Sequence, residues 1–346
     1  MKSAFFKYLP LVTGIMLFIS CKDKPKPAEN NPVFITEPAI KEITGRIKEN
    51  PSNAKLYFER GKMLYKIKED TLALKDFKTA SALDTNNAGY YSAVGDVLFE
   101  NKDISGSVEW LQKAIAKNPD DPRARLKMAK MFLFTQDYPK AFAQINIVLR
   151  KNVYDPEAYF LKGMVYKDMK DTGKAISSFQ TALQVAPDYK QAIVQLGLLY
   201  SAKNDPTAIK YLDNAYRVDS ADVFPVFARG VYYQNNNEYE KAKEEYKKCI
   251  RKNTHYVDAY FNLGYIYMQQ DSAEKAFRQY DLVTKLQPDN PTGYYDRGVC
   301  NEMLNNLKEA VVDYRHALLL DTGYKSPKIA LKRLGLNPNG TKNNAR

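Results

Sequence analysis

Side chains that commonly do chemistry are scarce in this chain, which has three cysteines and two histidines among its 346 residues. His255 and His316 lie far apart in the sequence, and neither belongs to a His/Cys spacing that is typical of a metal site. No G-x-S-x-G motif, phosphate-binding loop or pair of carboxylates follows a predicted strand. We therefore expect no catalytic residues, no metal ion and no cofactor, and we predict that the protein is not an enzyme.

Cys21 is the cysteine whose surroundings predict a modification. It follows Ser20, at the end of a segment that begins with Lys2 and Lys7 and continues as an apolar run. This order is typical of a secretory signal peptide, here residues 1–20. The apolar run has roughly 12 residues, fewer than the ~20 that a helix needs to cross a bilayer, so a retained transmembrane helix is the weaker interpretation.

The five residues that end at Cys21 resemble the lipobox of bacterial lipoproteins. The resemblance implies that the Cys21 sulfur carries a diacylglycerol, that further acyl groups such as palmitate follow, and that the mature chain begins there. Residues 21–32 are polar and rich in proline, as in a flexible tether. Lys22 stands where an aspartate would favour the inner membrane, so we expect an outer-membrane lipoprotein that faces the periplasm or the cell surface. Ordinary secretion and a cytosolic chain with a fortuitous apolar start are the alternatives.

A tandem repeat fills residues 54–324. Small residues recur at positions 8, 20 and 27 of a 34-residue window and a large apolar residue recurs at position 24, as Gly163, Ala175, Ala182 and Phe179 show. Small residues at fixed spacing let two helices cross closely, and the large side chain fills the space beside the crossing. The eight windows are 54–87, 88–121, 122–155, 156–189, 190–222, 223–256, 257–290 and 291–324.

This pattern resembles the tetratricopeptide repeat (TPR), a helix-turn-helix unit of 34 residues. The resemblance implies an all-α fold: a right-handed superhelical solenoid of eight repeats, with capping helices in residues 33–53 and 325–346. Pro187 marks one junction between repeats, because proline tolerates the first turn of a helix and breaks its interior. A deletion near Asn204, and Asn301 in place of an aromatic residue, are expected to loosen the stack locally.

The other two cysteines fall inside this pattern. Cys249 occupies the small core position 27 and Cys300 lies in the first helix of the eighth repeat, so both resemble buried small apolar residues. Whether they form a disulfide in an oxidising compartment stays open.

The chain is basic, with a net charge of +12 from 52 basic and 40 acidic residues. Residues 325–346 contain basic side chains and no acidic one. A solvated end of the molecule is the simpler interpretation, and contact with an anionic polymer or lipid headgroups is the alternative. An envelope compartment argues against nucleic acid as a partner.

The predicted binding site comes from the TPR resemblance, which implies that positions 5 and 9 of the first helices point into a concave groove. Position 9 is charged in the first three repeats, as Lys62, Asp96 and Lys130 show, whereas apolar residues occupy both positions from the fourth repeat onward. A contiguous apolar strip marks a partner site, most naturally for an amphipathic helix or an extended apolar segment. Coverage by one of the chain's own terminal segments is the alternative. The predicted groove residues are Phe160, Met164, Val194, Leu198, Phe227, Val231, Phe261, Tyr265, Tyr295 and Val299.

Together these features predict a lipid-anchored, non-enzymatic scaffold in a Gram-negative envelope, similar to outer-membrane TPR lipoproteins that assemble secretion, motility or cell-wall machinery. Its expected partners are other envelope proteins or peptides, with the membrane engaged through the lipid. Two alternatives remain: a receptor for a glycan or a small molecule that uses the aromatic groove, and an accessory subunit whose groove is permanently filled. The sequence identifies neither the partner nor the oligomeric state.

Overall fold

The computed structural model describes residues 33–337, and within this range the chain is all-α, as predicted. Cys21, the predicted signal and tether, and residues 338–346 lie outside the described residues. Two helices, α1 (Val33–Thr36) and α2 (Pro38–Glu49), come before the first repeat window, and α19 (Lys325–Arg333) follows the last one. No helix in the described range is both long and apolar enough to cross a membrane.

Each repeat window holds one pair of helices joined by a short turn. The pairs are α3 (Ala54–Lys66) and α4 (Asp70–Leu83), α5 (Ala88–Glu100) and α6 (Ile104–Lys117), α7 (Pro122–Phe134) and α8 (Tyr138–Lys151), α9 (Pro156–Asp168) and α10 (Thr172–Val185), α11 (Lys190–Ser201) and α12 (Thr207–Val218), α13 (Phe224–Asn235) and α14 (Tyr239–Lys252), α15 (Val257–Gln269) and α16 (Ala273–Leu286), and α17 (Pro291–Met303) and α18 (Leu307–Leu320).

The chain divides into two compact units, with the boundary after Ala124 in α7. In the first unit, α2 buries Ile43 and Ile47 together with Leu56 of α3. In the second unit the helix pairs follow one another up to α19, whose buried Leu331 packs in one cluster with residues of α18. Helices α2 and α19 therefore bury apolar side chains beside the outermost repeats.

The turn inside each repeat depends on one residue with a left-handed backbone. This conformation costs an ordinary L-residue roughly 1–2 kcal/mol, and it allows the next N–H to reach back to the end of the first helix. The N–H of Asp103, for example, donates to the Leu98 carbonyl at 2.9 Å, and the Asp103 carboxylate caps the following helix by accepting from the Gly106 N–H at 2.9 Å. The left-handed residues all stand at repeat position 15: Lys68, Lys102, Gln136, Lys170, Asn204, Asn237, Asp271 and Asn305.

Glycine at position 8 makes room for the large side chain at position 24. A Cβ atom on Gly163 would lie 2.6 Å from the Phe179 ring, and one on Gly230 would lie 2.5 Å from the Tyr246 ring. The third repeat has Ala129 in place of glycine, and its position 24 is Ile145, which is smaller than a phenyl ring and fully buried. The two positions thus change together in that repeat.

Asn301, the polar residue expected to loosen the eighth repeat, lies in a buried hydrogen-bond network. Its Nδ2 donates to Oδ2 of Asp313 at 3.0 Å, and Asp313 also accepts from Nη2 of Arg297 at 2.6 Å. Nη1 of Arg297 donates to Asp281 of the preceding repeat at 2.9 Å. The amide is therefore satisfied, and its network joins α16, α17 and α18.

An arginine at position 7 and a carboxylate 16 residues later join the two helices of three repeats. The three pairs are Arg60 with Asp76 at 2.7 Å, Arg229 with Glu245 at 2.6 Å, and Arg297 with Asp313 at 2.6 Å. The sequence analysis missed these pairs, although their common 16-residue spacing was visible in the sequence.

The deletion in the fifth repeat shortens its second helix. α12 spans Thr207–Val218, 12 residues, whereas the second helix of the neighbouring repeat, α10, has 14. The Asp205 carboxylate accepts the N–H of Thr207 at 2.8 Å and so supports the start of the shorter helix. Ala208, at the small position 20, remains fully buried.

Candidate functional site

The ten predicted groove residues lie on the first helices of repeats four to eight, all within the second compact unit. Positions 5 and 9 are four residues apart and therefore share one face of a helix. We call the first set the position-5 row: Phe160, Val194, Phe227, Phe261 and Tyr295. We call the second set the position-9 row: Met164, Leu198, Val231, Tyr265 and Val299.

The aromatic members of the position-5 row are packed against other rings of the fold. Phe227 lies between Tyr246 and Tyr256, with ring centroids 5.6 and 5.3 Å away. Phe261 meets Tyr280 at 5.5 Å in an edge-to-face arrangement. Such aromatic contacts stabilise a fold beyond the area that they bury. All five residues of this row are half-buried, so each has one side in the core and one side toward solvent.

Tyrosines at position 34 form part of this packing, and the sequence analysis did not identify them. Tyr189 contacts Phe160 at 5.6 Å, and Tyr324 contacts Tyr295 at 5.4 Å. Burial, and then the nearby charge of Glu157, raises the pKa of Tyr189 to about 12. A tyrosine 29 residues after an aromatic position 5 was the signal that could have revealed them.

The position-9 row is less enclosed by rings of the fold. Tyr265 is the most open of its members, with 41% of its surface exposed, while Met164, Leu198, Val231 and Val299 are half-buried. Met164, Val231 and Val299 also pack against core clusters, so Tyr265 is the member that offers the most apolar surface to solvent.

A shallow cavity of about 320 Å³ lies beside the start of the position-9 row. Met164 lines it together with Lys167 and Asp168 of α9, and Leu133 and Phe134 line the side formed by α7. Its volume is at the lower end of the range for ligand sites, and its lining mixes apolar with charged groups. It can accept one side chain of a partner more readily than a whole small molecule.

The charged residues on this helix face are all acidic in repeats five to eight. Positions 2, 5, 6, 9, 12 and 13 of these first helices contain three acidic residues, Asp258, Asp296 and Glu302, and no basic residue. Glu302 is paired with Arg333 of α19 at 2.8 Å and also accepts the Tyr314 hydroxyl at 2.8 Å. The face thus differs from the chain as a whole, which is strongly basic.

The remaining cysteines and histidines do not form a reactive site. Cys249 and Cys300 are free thiols without exposed surface, and burial raises the pKa of each to about 12. The His316 ring packs on Tyr294 at 4.0 Å, and His255 is exposed. Among residues 33–337 no cluster of His, Cys, Asp and Glu could hold a metal ion.

Comparison with known families identifies the repeat. The tetratricopeptide repeat family matches residues 156–189 and, separately, residues 227–291. The chain contains tetratricopeptide repeats. Both matched stretches coincide with helix pairs of the second compact unit and include members of both rows.

Solved TPR structures share this fold. The C-terminal part of a TPR repeat-containing protein from Cytophaga hutchinsonii superposes with a TM-score of 0.54 at 20% identity, covering 67% of this chain and 96% of that one. PilW, described as a widely conserved type IV pilus biogenesis factor, gives a TM-score of 0.52 at 18% identity and covers 61% of this chain and 98% of its own. At these identities the likeness concerns the fold alone.

Sequence relatives are distant. A TPR repeat-containing protein of Methanocaldococcus jannaschii is 24% identical over 269 residues, covering 71% of this chain and 46% of the relative. The chain spans about half or less of the length of the first relatives that it matches, at 46%, 33% and 48%.

Proposed function

We propose that this TPR protein is a non-enzymatic, lipid-anchored adaptor of a Gram-negative envelope that assembles protein complexes of secretion, motility or cell-wall machinery. Partner proteins or peptides bind to the face formed by the position-5 and position-9 rows. The observation that carries this proposal is the position-9 row, an apolar row repeated on five successive first helices, one helical turn from the packed rings of the position-5 row. Apolar surface of this extent marks a partner site, and an amphipathic helix or extended apolar segment complements it.

The same geometry favours a peptide over a glycan. A sugar ring needs an open aromatic face, and the rings of Phe160, Phe227 and Tyr295 each have two aromatic neighbours of the fold. Tyr265, at 41% exposure, is the most open aromatic residue of the two rows. Side chains of a partner helix can pack between such half-buried residues without needing an open stacking platform.

Site-specific crosslinking in intact envelopes tests the proposed surface. A photoreactive benzoylphenylalanine replaces Tyr265, and in a matched control it replaces Leu319, which is 76% exposed on the second helix of the eighth repeat. We expect a defined polypeptide adduct from position 265 and none from position 319. Equal adducts from both positions, or none from 265, contradict the proposal, and an adduct that contains carbohydrate but no polypeptide favours the receptor alternative.

The lipid anchor is proposed from Cys21. Each buried methylene contributes about 0.8 kcal/mol to membrane binding, so several long acyl chains would hold the protein permanently. Cys21→Ser is expected to abolish labelling with radioactive palmitate and to release the protein from the membrane fraction. Lys22→Asp is the matched variant, which should keep the label and move the protein toward the inner membrane. The anchor is ruled out if the Cys21→Ser protein still sediments with membranes and the wild-type protein takes up no palmitate label.

A further inference from the structure

Asp296 is an unpaired carboxylate within the proposed binding face. It occupies position 6 of α17 and is half-buried, and no described residue forms an ion pair with it or donates a hydrogen bond to it. Burial is the main cause that raises the pKa of Tyr280 and of Tyr324, and the charge of Asp296 adds to both shifts. The charge of the carboxylate therefore acts on these two tyrosines, which belong to α16 and to the residue just before α19.

An unpaired carboxylate in this place is costly to the fold. Burial raises the pKa of Asp296 to about 7, because the charged form loses water without gaining a partner. The same repeat satisfies its other buried acid: Asp313 is paired with Arg297 at 2.6 Å and accepts the Asn301 amide at 3.0 Å. Asp296 thus differs from its neighbour in lacking a cation, although the chain has many.

Two arginines of the surrounding helices are bound elsewhere. Arg297 is held between Asp281 and Asp313, and Arg333 is paired with Glu302. The first helices of repeats five to eight contribute no basic residue to this face. The cation that would complement Asp296 is therefore missing from the face itself.

Several tyrosines belong to the same part of the fold as Asp296. Tyr295, the next residue in the sequence, lies between Tyr314 at 5.7 Å and Tyr324 at 5.4 Å. The Tyr280 ring packs against Phe261 of the position-5 row. Faces of tyrosine rings attract ammonium and guanidinium groups. Tyr280 is only 3% exposed and Tyr295 is flanked by two rings, so the half-buried Tyr324 is the ring that can contribute to binding a cation.

We infer that Asp296, with the half-buried Tyr324, forms a subsite for a lysine or arginine side chain carried within an apolar segment of the partner. The inference rests on the proposed function, because the basic side chain reaches the subsite only if its segment lies along the two rows. The apolar neighbours of the basic residue contact the position-5 and position-9 rows, while its cationic end replaces the missing ion pair. Partners would therefore be selected by one basic residue at a fixed place among apolar ones.

A displayed library of random 16-residue peptides, selected on the full chain, tests the inference. Selections on wild type, on Asp296→Asn and on the control Asp258→Asn are sequenced in parallel; Asp258 is an exposed acid on the same face. We expect wild type and Asp258→Asn to enrich apolar peptides with a lysine or arginine at one position. With Asp296→Asn the apolar residues should remain enriched and the preference for the basic residue should disappear.

The possible outcomes separate the two proposals. Apolar peptides that show no basic preference on wild type, or a preference that Asp296→Asn leaves unchanged, overturn the subsite and leave the proposed function standing. A failure of wild type to enrich apolar peptides overturns the proposed function and the subsite with it. Asparagine has nearly the same shape as aspartate and removes an unpaired charge, so we expect the variant to fold.

A mutant cycle then measures the contact. One enriched peptide is synthesised with its basic residue and with glutamine in that place, and the Kd of each is measured on wild type and on Asp296→Asn. Removing either partner of a desolvated charge pair should weaken binding about tenfold to a hundredfold. Removing both partners should weaken binding little more than removing one. If the fold-change in Kd for the double change instead equals the product of the two single fold-changes, the two groups are not in direct contact.

Discussion

The two rows of the candidate surface are both apolar, but the position-5 row is mainly aromatic and the position-9 row mainly aliphatic, and their surroundings differ. Both lie on the same five helices, four residues apart, and both are apolar. Phe227 of the position-5 row is held between Tyr246 and Tyr256, whereas Tyr265 of the position-9 row has 41% of its surface exposed. At these two positions one ring helps to hold the helices together, and the other leaves apolar surface available to a partner. Apolar character alone does not distinguish these two roles.

The largest effect on folding is expected from a ring of the position-5 row. Phe227→Ala removes contacts with Tyr246 and Tyr256 and should lower the local free energy of unfolding by about 3 kcal/mol, because the ring is half-buried in the fold. Repeats couple mainly to their neighbours, so amide hydrogen exchange should speed up in α13 to α15 and stay unchanged in the more distant helices.

Val231→Ala is the matched control one helical turn away. Val231 lies in the position-9 row and is half-buried, so we expect a loss of less than about 1 kcal/mol. If Phe227→Ala and Val231→Ala lose the same amount of protection from hydrogen exchange, the two rows do not differ in their contribution to folding.

A smaller effect is expected from the glycine beneath the same ring system. Gly230→Ala places a methyl group 2.5 Å from the Tyr246 ring, and Tyr246 is fully buried and cannot move aside. Over-packing of this kind costs about 1–3 kcal/mol. Gly45→Ala is the control, since a Cβ atom there would have nothing within 4 Å. Alanine is more favourable than glycine inside a helix, so this change should stabilise α2 by about 0.5–1 kcal/mol. A lower melting temperature for Gly230→Ala and a higher one for Gly45→Ala would support the close approach of Gly230 to the Tyr246 ring. A higher melting temperature for Gly230→Ala would contradict it.

Residue types at fixed spacing predicted the helix pairs correctly. A small residue at position 8 and a large one at position 24, such as Gly163 and Phe179, can be read along the chain without knowing which helix contacts which. The substitution of Ala129 could be recognised in the same way. That Ala129 and Ile145 belong to one buried cluster could be recognised only in the structure.

Contacts that join different repeats were not predictable in this way. Arg297, for example, binds Asp281 of the preceding repeat. This contact depends on the angle between helices of neighbouring repeats, which residue spacing alone does not determine. Asp296 was hidden for a related reason, since an acid on a helix looks solvated until the neighbouring helices are placed.

The pH dependence of stability tests the environment of Asp296. Its pKa rises from 3.8 to about 7 on folding, so the folded state holds its proton more tightly than the unfolded state does. This group therefore destabilises the fold increasingly as pH rises from about 4 to about 7, and the effect is constant at higher pH. Burial raises the pKa of Tyr280 and of Cys300 above their usual ranges, so both stay protonated throughout.

Asp296→Asn should accordingly be more stable than wild type by about 2 kcal/mol at pH 8. This value is smaller than the free energy that corresponds to the whole pKa shift, because solvent screens the charge of a half-buried side chain. At pH 4.5 the two proteins should be nearly equal. Urea unfolding followed by circular dichroism at both pH values measures the difference. A variant that is less stable at pH 8 means that Asp296 has a stabilising partner.

The smallest effect on folding is expected in the position-9 row, where the effect on binding should be large. Tyr265→Ser removes a ring that is 41% exposed and should change the free energy of unfolding by no more than about 0.5 kcal/mol. Aromatic anchors commonly contribute about 2 kcal/mol or more to a protein interface, so capture of the crosslinked partner should fall by tenfold or more. Leu319→Ser is the control, because it removes a side chain that is 76% exposed on a second helix and should leave capture unchanged. If Tyr265→Ser captures the partner as well as wild type does, while Phe227→Ala loses it only in proportion to local unfolding, the position-9 row is not the binding row. The division of roles between the two rows would then have to be abandoned.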